Sequence, residues 1–381
     1  MIYLSVDEFQ HFQCVADRCP NTCCAGWKII MDRETYGKMV DGEEILQIPS
    51  SEWLEDDGKQ ITVKMDHGRC PMLTEENLCR VVMKLGPEYL CQTCKFYPRS
   101  AHSYGEVQEL YLTLSCPEVL RSLMDKEQVE FDIGEDQKPA KEYPHAELYI
   151  FESAVRTSLV EFLYAVRQIS LPVRLFAAFK ILEEGIRMEE EHNHNADLLR
   201  LSINAYAQPE VLCAMEENLR GVVDERSRYR FLRQILNIAG RYDDYERFHK
   251  LVQQALEYFS QDYTEEYQQR MREFQETVCR EYGKFYTNYW VYRLFCDMIS
   301  VPEFTKSREK FLYIAVEFAL FQTIALTSFI KGTLDREEYI YIISCLSRLM
   351  EHSTSFYESI TSSIVSNDLV SVAGVLLLTI A

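Results

Sequence analysis

Apolar residues recur every three or four positions through the last two-thirds of the chain, with charged residues on the opposite side of each repeat. This pattern predicts amphipathic helices joined by short connections. Pro172, Pro209 and Pro302 stand near predicted helix starts, where proline is tolerated. The predicted helices cover 146–169, 172–190, 196–220, 226–240, 243–260, 264–299, 311–330 and 336–353. We therefore expect an all-helical domain over residues 146–381.

The first 120 residues have a different pattern, rich in turn formers and without long amphipathic stretches. Breakers such as Asp57-Gly58 and Gly86-Pro87 recur, and short β-prone pieces at 28–30 and 61–63 lie between them. Residues 121–145 are polar and charged, and predict a linker. The expected fold is mainly α: a small, irregular, Cys-rich metal-binding domain over 1–120 with few short strands, a linker over 121–145, and the helical domain.

The apolar stretch from Phe311 to Ile330 has the length of a membrane span but contains Glu317. A charge at mid-span costs about 3 kcal/mol, so we predict a buried core helix and no stable membrane insertion. The net charge of −20 disfavours electrostatic binding to nucleic acid. The chain begins without a basic segment followed by an apolar run, and we expect a cytoplasmic protein.

The 13 cysteines are distributed unevenly along the chain. Structural disulfides are rare in a reducing compartment, so clustered thiols indicate metal or redox chemistry. Four cysteines are scattered over the helical part, where we expect small buried side chains. The other nine lie at or before position 116: Cys14, Cys19, Cys23, Cys24, Cys70, Cys79, Cys91, Cys94 and Cys116. We predict that these nine build a metal site.

Thiolates are soft ligands that select zinc, copper(I) or iron–sulfur clusters. The pair Cys91-x2-Cys94 and the opening run of four cysteines both have a spacing that can wrap one metal. Nine thiols exceed the four that one zinc ion or one 4Fe-4S cluster requires. The spacing therefore leaves both an iron–sulfur cluster and a zinc site open. A radical-type Cys-x3-Cys-x2-Cys loop is absent, because position 26 is glycine, and no glycine-rich nucleotide-binding loop occurs.

At these residues the sequence resembles the flagellin lysine-N-methylase family, which carries a CxxCxxCC-type chelating domain. The similar pieces are the opening cluster that ends Cys23-Cys24-Ala25-Gly26-Trp27, the segment from Arg69-Cys70-Pro71 to Cys79, the block Cys91-Gln92-Thr93-Cys94-Lys95-Phe96-Tyr97-Pro98-Arg99, Ser115-Cys116-Pro117, and Asn288-Tyr289-Trp290-Val291-Tyr292. The resemblance implies methyl transfer from S-adenosylmethionine to lysine side chains of flagellin, with a cysteine-ligated metal centre that is expected to be an iron–sulfur cluster.

That chemistry requires a neutral lysine amine in line with the methyl donor. Tyrosine hydroxyls can steer the amine, and the motifs make Tyr97, Tyr289 and also Tyr292 candidates. Arg99 is a candidate for holding the donor's carboxylate, and the aromatic face of Trp27 for holding its cationic part. Two other classes remain open: a non-enzymatic metal-binding or interaction protein, and a redox protein that transfers electrons through a cluster.

Overall fold

The computed structural model describes residues 1–25, 28–135, 142–219, 224–242, 246–261, 264–299, 302–367, 369, 374 and 378–379. The described part contains seven short strands: β1 (Ile2–Val6), β2 (Ile30–Met31), β3 (Leu54–Asp56), β4 (Ile61–Val63), β5 (Arg99–Tyr104), β6 (Val107–Leu112) and β7 (Phe131–Glu135). Six helices lie among them: α1 (Arg33–Asp41), α2 (Glu43–Leu46), α3 (Ser50–Trp53), α4 (Arg80–Lys84), α5 (Gln92–Phe96) and α6 (Pro117–Asp125).

Eleven helices follow in the described part of the second region, and they confirm the mainly α fold. They are α7 (Ala146–Ala165), α8 (Leu171–Glu190), α9 (Ala196–Tyr206), α10 (Pro209–Leu219), α11 (Glu225–Ala239), α12 (Glu246–Tyr258), α13 (Glu265–Phe274), α14 (Gly283–Asp297), α15 (Ser307–Ile330), α16 (Arg336–His352) and α17 (Thr354–Ser366). The helix predicted over 196–220 is two helices, because Pro209 begins a new one. The helix predicted over 264–299 is interrupted by a π-helical turn at Gln275–Cys279, and α17 was not predicted.

Two sheets organise the first region. β2, β4 and β3 form a three-stranded antiparallel sheet over a small core of its own, which includes Trp53 and Met72. The other sheet has the order β5-β6-β1-β7, with β1 parallel to β6 and antiparallel to β7. The stretch predicted as a linker therefore begins inside α6 and contains β7, a strand of this second sheet.

The second sheet packs against the helices and shares their core. Val6, Leu112 and Leu120 belong to the same hydrophobic cluster as the helical region. Glu109 of β6 and Arg156 of α7 form a bidentate ion pair, with Nη1 of Arg156 2.8 Å from Oε2 of Glu109, and both side chains are buried. The Tyr149 hydroxyl also donates to Glu109, at 2.8 Å. These contacts fix the strand that leads toward Cys116.

The apolar helix α15 lies in the centre of the helical region, as predicted. It is long and apolar enough to cross a membrane, yet 89% of its most apolar stretch is buried by the rest of the protein. Glu317, the charge within it, is completely buried and pairs with Arg293 of α14. The Ser347 hydroxyl donates to the same carboxylate at 2.6 Å. Partners for the buried charge explain why a core helix tolerates it.

Candidate functional site

All nine N-terminal cysteines line one cavity of about 440 Å³. Cys79, Cys91 and Cys116 stand immediately before the first residues of α4, α5 and α6, at positions where a side chain can face the free N–H groups of a helix. Cys94 lies within α5, and the remaining cysteines lie in loops. The fold thus brings together thiols from all four sequence blocks, as the prediction of a common site requires.

Two pairs of thiols are in hydrogen-bonding contact. The contact with Cys23 lowers the pKa of Cys24 to about 7, and the contact with Cys94 lowers the pKa of Cys91 to about 7. Within each pair one sulfur takes the negative charge more readily because its neighbour donates to it. Burial raises the pKa of Cys70 to about 12. A positive metal centre reverses the effect of burial, because it favours thiolate over thiol.

The thiols also influence one another electrostatically. Burial raises the pKa of Cys116 to about 12, and the charges of Cys19 and Cys14 act in the same direction. The charges of Cys24, Cys79 and Cys91 add to the rise that burial causes in the pKa of Cys70. Both Cys24 and Cys14 raise the pKa of Cys23.

The donor set agrees in its chemistry with a soft metal. Across the described ranges, no three cysteine, histidine or acidic side chains are grouped closely enough to hold one metal ion. A structural zinc site needs four ligands around a single ion, with Zn–S bonds of about 2.3 Å. The cysteine ligands of a cluster bind different irons and are spread around a larger body. Both arrangements draw on soft thiolate donors of the kind that line this cavity.

Arg348 of α16 fixes the cysteine loop, defined as residues 19–25, to the helical region. Its guanidinium is buried and donates to the carbonyl oxygens of Thr22 at 3.0 Å and Ala25 at 2.9 Å. The Asn21 side chain adds a bond to the Ser344 hydroxyl, at 2.8 Å. The charge of Arg348 also opposes the rise in the pKa of Cys19 that burial causes. Arg348 was not among the site residues predicted from the sequence, although a cation among the apolar positions of a predicted helix was a visible signal.

A chain of polar contacts leads from the cavity into the helical core. Tyr97 lines the cavity, and its hydroxyl donates to the Ser115 hydroxyl at 3.2 Å. Glu351 accepts the backbone N–H of Ser115 at 3.2 Å and Nη1 of Arg293 at 3.0 Å. Burial raises the pKa of Glu351 to about 7, against the opposing charge of Arg293. Nε2 of His352 lies 3.2 Å from the Ser115 hydroxyl, and burial lowers the pKa of this histidine to about 4.

The other predicted site residues have different surroundings. Arg99 lines the cavity, but its guanidinium donates to the carbonyl oxygens of Phe9 at 3.2 Å and Phe12 at 3.0 Å. It therefore holds the segment that precedes Cys14, and no carboxylate within the described ranges pairs with it. Trp27 lies outside the described residues.

Tyr289 and Tyr292 belong to the run Asn288-Tyr289-Trp290-Val291-Tyr292, here called the Asn-Tyr element, and do not line the cavity. Tyr289 is completely buried in α14, and its ring packs edge-on against Phe321 with centroids 5.2 Å apart. The Tyr292 hydroxyl donates to the carbonyl oxygen of Leu112 at 2.6 Å and accepts the N–H of the same residue at 3.0 Å. The structure brings Tyr97 to the cysteines and leaves Tyr289 and Tyr292 in the core.

Comparison with known proteins gives matches from one group. The sequence profile of the FliB lysine N-methylase C-terminal domain matches residues 163–378, which lie in the helical region. The flagellar biosynthetic protein FliU of Salmonella muenchen is 33% identical over 127 residues, which are 30% of this chain and 72% of FliU. The lysine-N-methylases of Salmonella choleraesuis strain SC-B67 and Salmonella typhimurium strain LT2 are 33% identical over 127 residues and 32% over 126, and each alignment covers 30% of both chains. No solved structure matches the chain.

Proposed function

Because this chain belongs to the FliB lysine N-methylase family, we propose that it transfers methyl groups from S-adenosylmethionine to lysine side chains of flagellin. Family membership confirms the resemblance to the lysine-N-methylase family and the predicted enzyme class, a protein-lysine N-methyltransferase. The metal-binding role of the Cys-rich region stays a prediction. The substrate, the donor and a cytoplasmic location are proposals. A chain with a net charge of −20 favours approach of a lysine-bearing surface.

We further propose that the cysteine cavity holds an iron–sulfur cluster on which the enzyme depends. The observation that carries this proposal is that nine thiols from four sequence blocks line one cavity of about 440 Å³. Bound there, a cluster would cross-link a loop-rich region, and an iron without a cysteine ligand would offer a coordination position for the donor's amino and carboxylate groups. Candidate ligands among the lining thiols are Cys19, Cys70, Cys79, Cys94 and Cys116.

Tyr97 is the candidate for contact with the reacting amine. Its hydroxyl is held by Ser115 beside the cavity, and burial raises its pKa, so it remains a neutral hydrogen-bond donor and acceptor at pH 7. A lysine amine must lose its proton before it attacks, and burial lowers the pKa of an amine. Tyr97 therefore orients the amine, while desolvation in the cavity supplies the neutral form. Tyr289 has no part in this step, because it is enclosed in the core.

The test is to incubate anaerobically purified protein with methyl-labelled S-adenosylmethionine and flagellin, and to locate label by mass spectrometry. We expect methylated lysines with the wild type and with Cys213→Ser, since Cys213 is an exposed thiol of α10 far along the chain. We expect at least a tenfold loss with Cys94→Ser. Wild-type protein that carries a full complement of metal but transfers no label would contradict the enzymatic proposal and favour a redox or interaction role.

A further inference from the structure

A second cavity, of about 570 Å³, lies where α8 begins, beside the π-helical turn and α14. It shares no lining residue with the cysteine cavity. Four cationic side chains line it: Arg167, Arg174, Arg280 and Lys284. Glu127 is the acidic residue among the described lining, and it already pairs with Lys284. In a chain with a net charge of −20, this is a local excess of positive charge.

Arg174 is the central observation. Its side chain is 95% buried, since 5% of it is exposed. Nη1 donates to the carbonyl oxygen of Leu163 at 3.1 Å and to the Thr287 hydroxyl at 3.0 Å, while Nε has no hydrogen-bond partner. Burial and the nearby charge of Arg167 lower its pKa to about 10, and no carboxylate of the described chain acts to raise it. A buried charge without a counter-ion is costly, so a protein that keeps one has reason to use it.

The backbone around Arg174 adds further features of a binding site. α8 is 20 residues long, and Ser170 at its start makes no side-chain cap, so N–H groups of its first turn remain available to an acceptor. The lining also includes Gln275 and Cys279, the first and last residues of the turn where the helix widens to π geometry. Such turns occur frequently at functional sites. The remaining wall is apolar and aromatic, with Phe318, Tyr286 and Leu171.

We propose that this cavity binds an organic anion, whose phosphate or carboxylate group contacts Arg174 and the start of α8 and whose apolar body lies against Phe318 and Tyr286. The volume suits a small molecule, because ligand pockets generally measure about 300–1,000 Å³. The cationic lining repels a sulfonium or ammonium group, so the occupant is not the methyl donor. The site is therefore a second one, and it does not depend on the methyltransferase proposal.

Phenyl phosphate is a suitable probe, because it joins one oxyanion to one aromatic ring. Isothermal titration at matched ionic strength should show binding to the wild type, and weaker binding of inorganic phosphate, which lacks the ring. Comparison with benzoate then distinguishes a phosphate from a carboxylate preference. S-adenosylmethionine should not displace phenyl phosphate; displacement would overturn the inference that the occupant is not the methyl donor.

Arg174→Met removes the charge and keeps the length, and should weaken phenyl phosphate binding at least tenfold. Arg280 is exposed at the mouth of the cavity, and Arg280→Ala should weaken phenyl phosphate binding about threefold because a solvent-screened charge is lost. This variant keeps the proposal testable if Arg174→Met fails to fold. The matched control is Arg187→Met in the last turn of α8, where Arg187 pairs with Glu184 and Glu191.

The control variant should bind the probe like the wild type. The proposal is overturned if the wild type does not bind phenyl phosphate at millimolar concentration. It is also overturned if both Arg174→Met and Arg280→Ala bind the probe within twofold of the wild type, because the oxyanion would then lie elsewhere.

Discussion

Replacing Arg348 by methionine should release the cysteine loop from the helical region. The guanidinium of Arg348 is buried between the two and donates to four backbone carbonyls. Those of Thr22 and Ala25 lie at 3.0 and 2.9 Å, while those of Asn21 and Ser115 lie at 3.4 Å. Methionine fills the same volume with apolar atoms and leaves these acceptors without their donor.

The expected cost follows from the two short bonds. A hydrogen bond from a charged donor contributes about 1.5–3 kcal/mol, so two of them at the lower limit give about 3 kcal/mol. The longer contacts at 3.4 Å are weaker and are left out of this sum. Because about 1.4 kcal/mol corresponds to a tenfold change in an equilibrium constant, the open form of the loop should become about 100-fold more populated.

Amide hydrogen exchange with mass spectrometry measures this opening directly. Peptides that contain residues 19–25 should exchange about 100-fold faster in Arg348→Met, whereas peptides from α7 and α8 should keep their wild-type rates. Arg336→Met is the control, because Arg336 lies on the same helix but pairs with Asp125 at the surface. Exchange of residues 19–25 within threefold of the wild-type rate would refute the claim that Arg348 holds the loop.

Three further predictions follow from the buried polar residues. Tyr97→Phe should reduce methyl transfer at least tenfold through loss of a hydroxyl at the cavity, while Tyr289→Phe should leave the rate within twofold; the opposite order in a labelled-methyl assay would contradict this assignment. Burial raises the pKa of Glu351 to about 7, so its contribution to stability is fully present below about pH 4.5 and is lost as the pH rises to 7. Between pH 5 and pH 8, urea unfolding should therefore show a smaller fall in the free energy of unfolding for Glu351→Gln than for the wild type. Equal falls for the two proteins would count against a raised pKa. Arg156→Met leaves Glu109 as an uncompensated buried charge and should lower the free energy of unfolding by about 3–5 kcal/mol, and a loss below 1 kcal/mol in urea unfolding would show that the pair is unimportant.

The helices were predictable because each carries a repeated local pattern. A spacing of three or four residues is set by the helix itself, so the apolar stripe of a segment such as 172–190 reveals its structure without its neighbours. The π-helical turn at Gln275–Cys279 was not predictable in this way, because one extra residue in a turn leaves the average spacing almost unchanged. The sequence pattern places Pro209 near a helix start, but it predicts one helix over 196–220 where the structure has α9 and α10.

The sheet and the site depend on contacts that are distant in sequence. β1 pairs with β6 and β7, which lie more than 100 residues further along the chain, and no local pattern specifies that pairing. The cysteine blocks predicted a shared site, yet the cavity also needs Arg348, which contacts the cysteine loop from about 320 residues away. The Asn-Tyr element was read as a candidate for catalysis; in the structure Asn288 donates to the carbonyl of Lys126 at 2.9 Å and helps to dock α14.

The most direct test of the central claim is methyl transfer to flagellin by protein prepared without oxygen, measured before metal removal, after removal, and after iron and sulfide are returned. The account predicts label on flagellin lysines, at least a tenfold loss when the metal is removed, and recovery on reconstitution. Transfer that continues undiminished in metal-free protein would contradict the claim that the cysteine cavity holds a metal centre on which the enzyme depends.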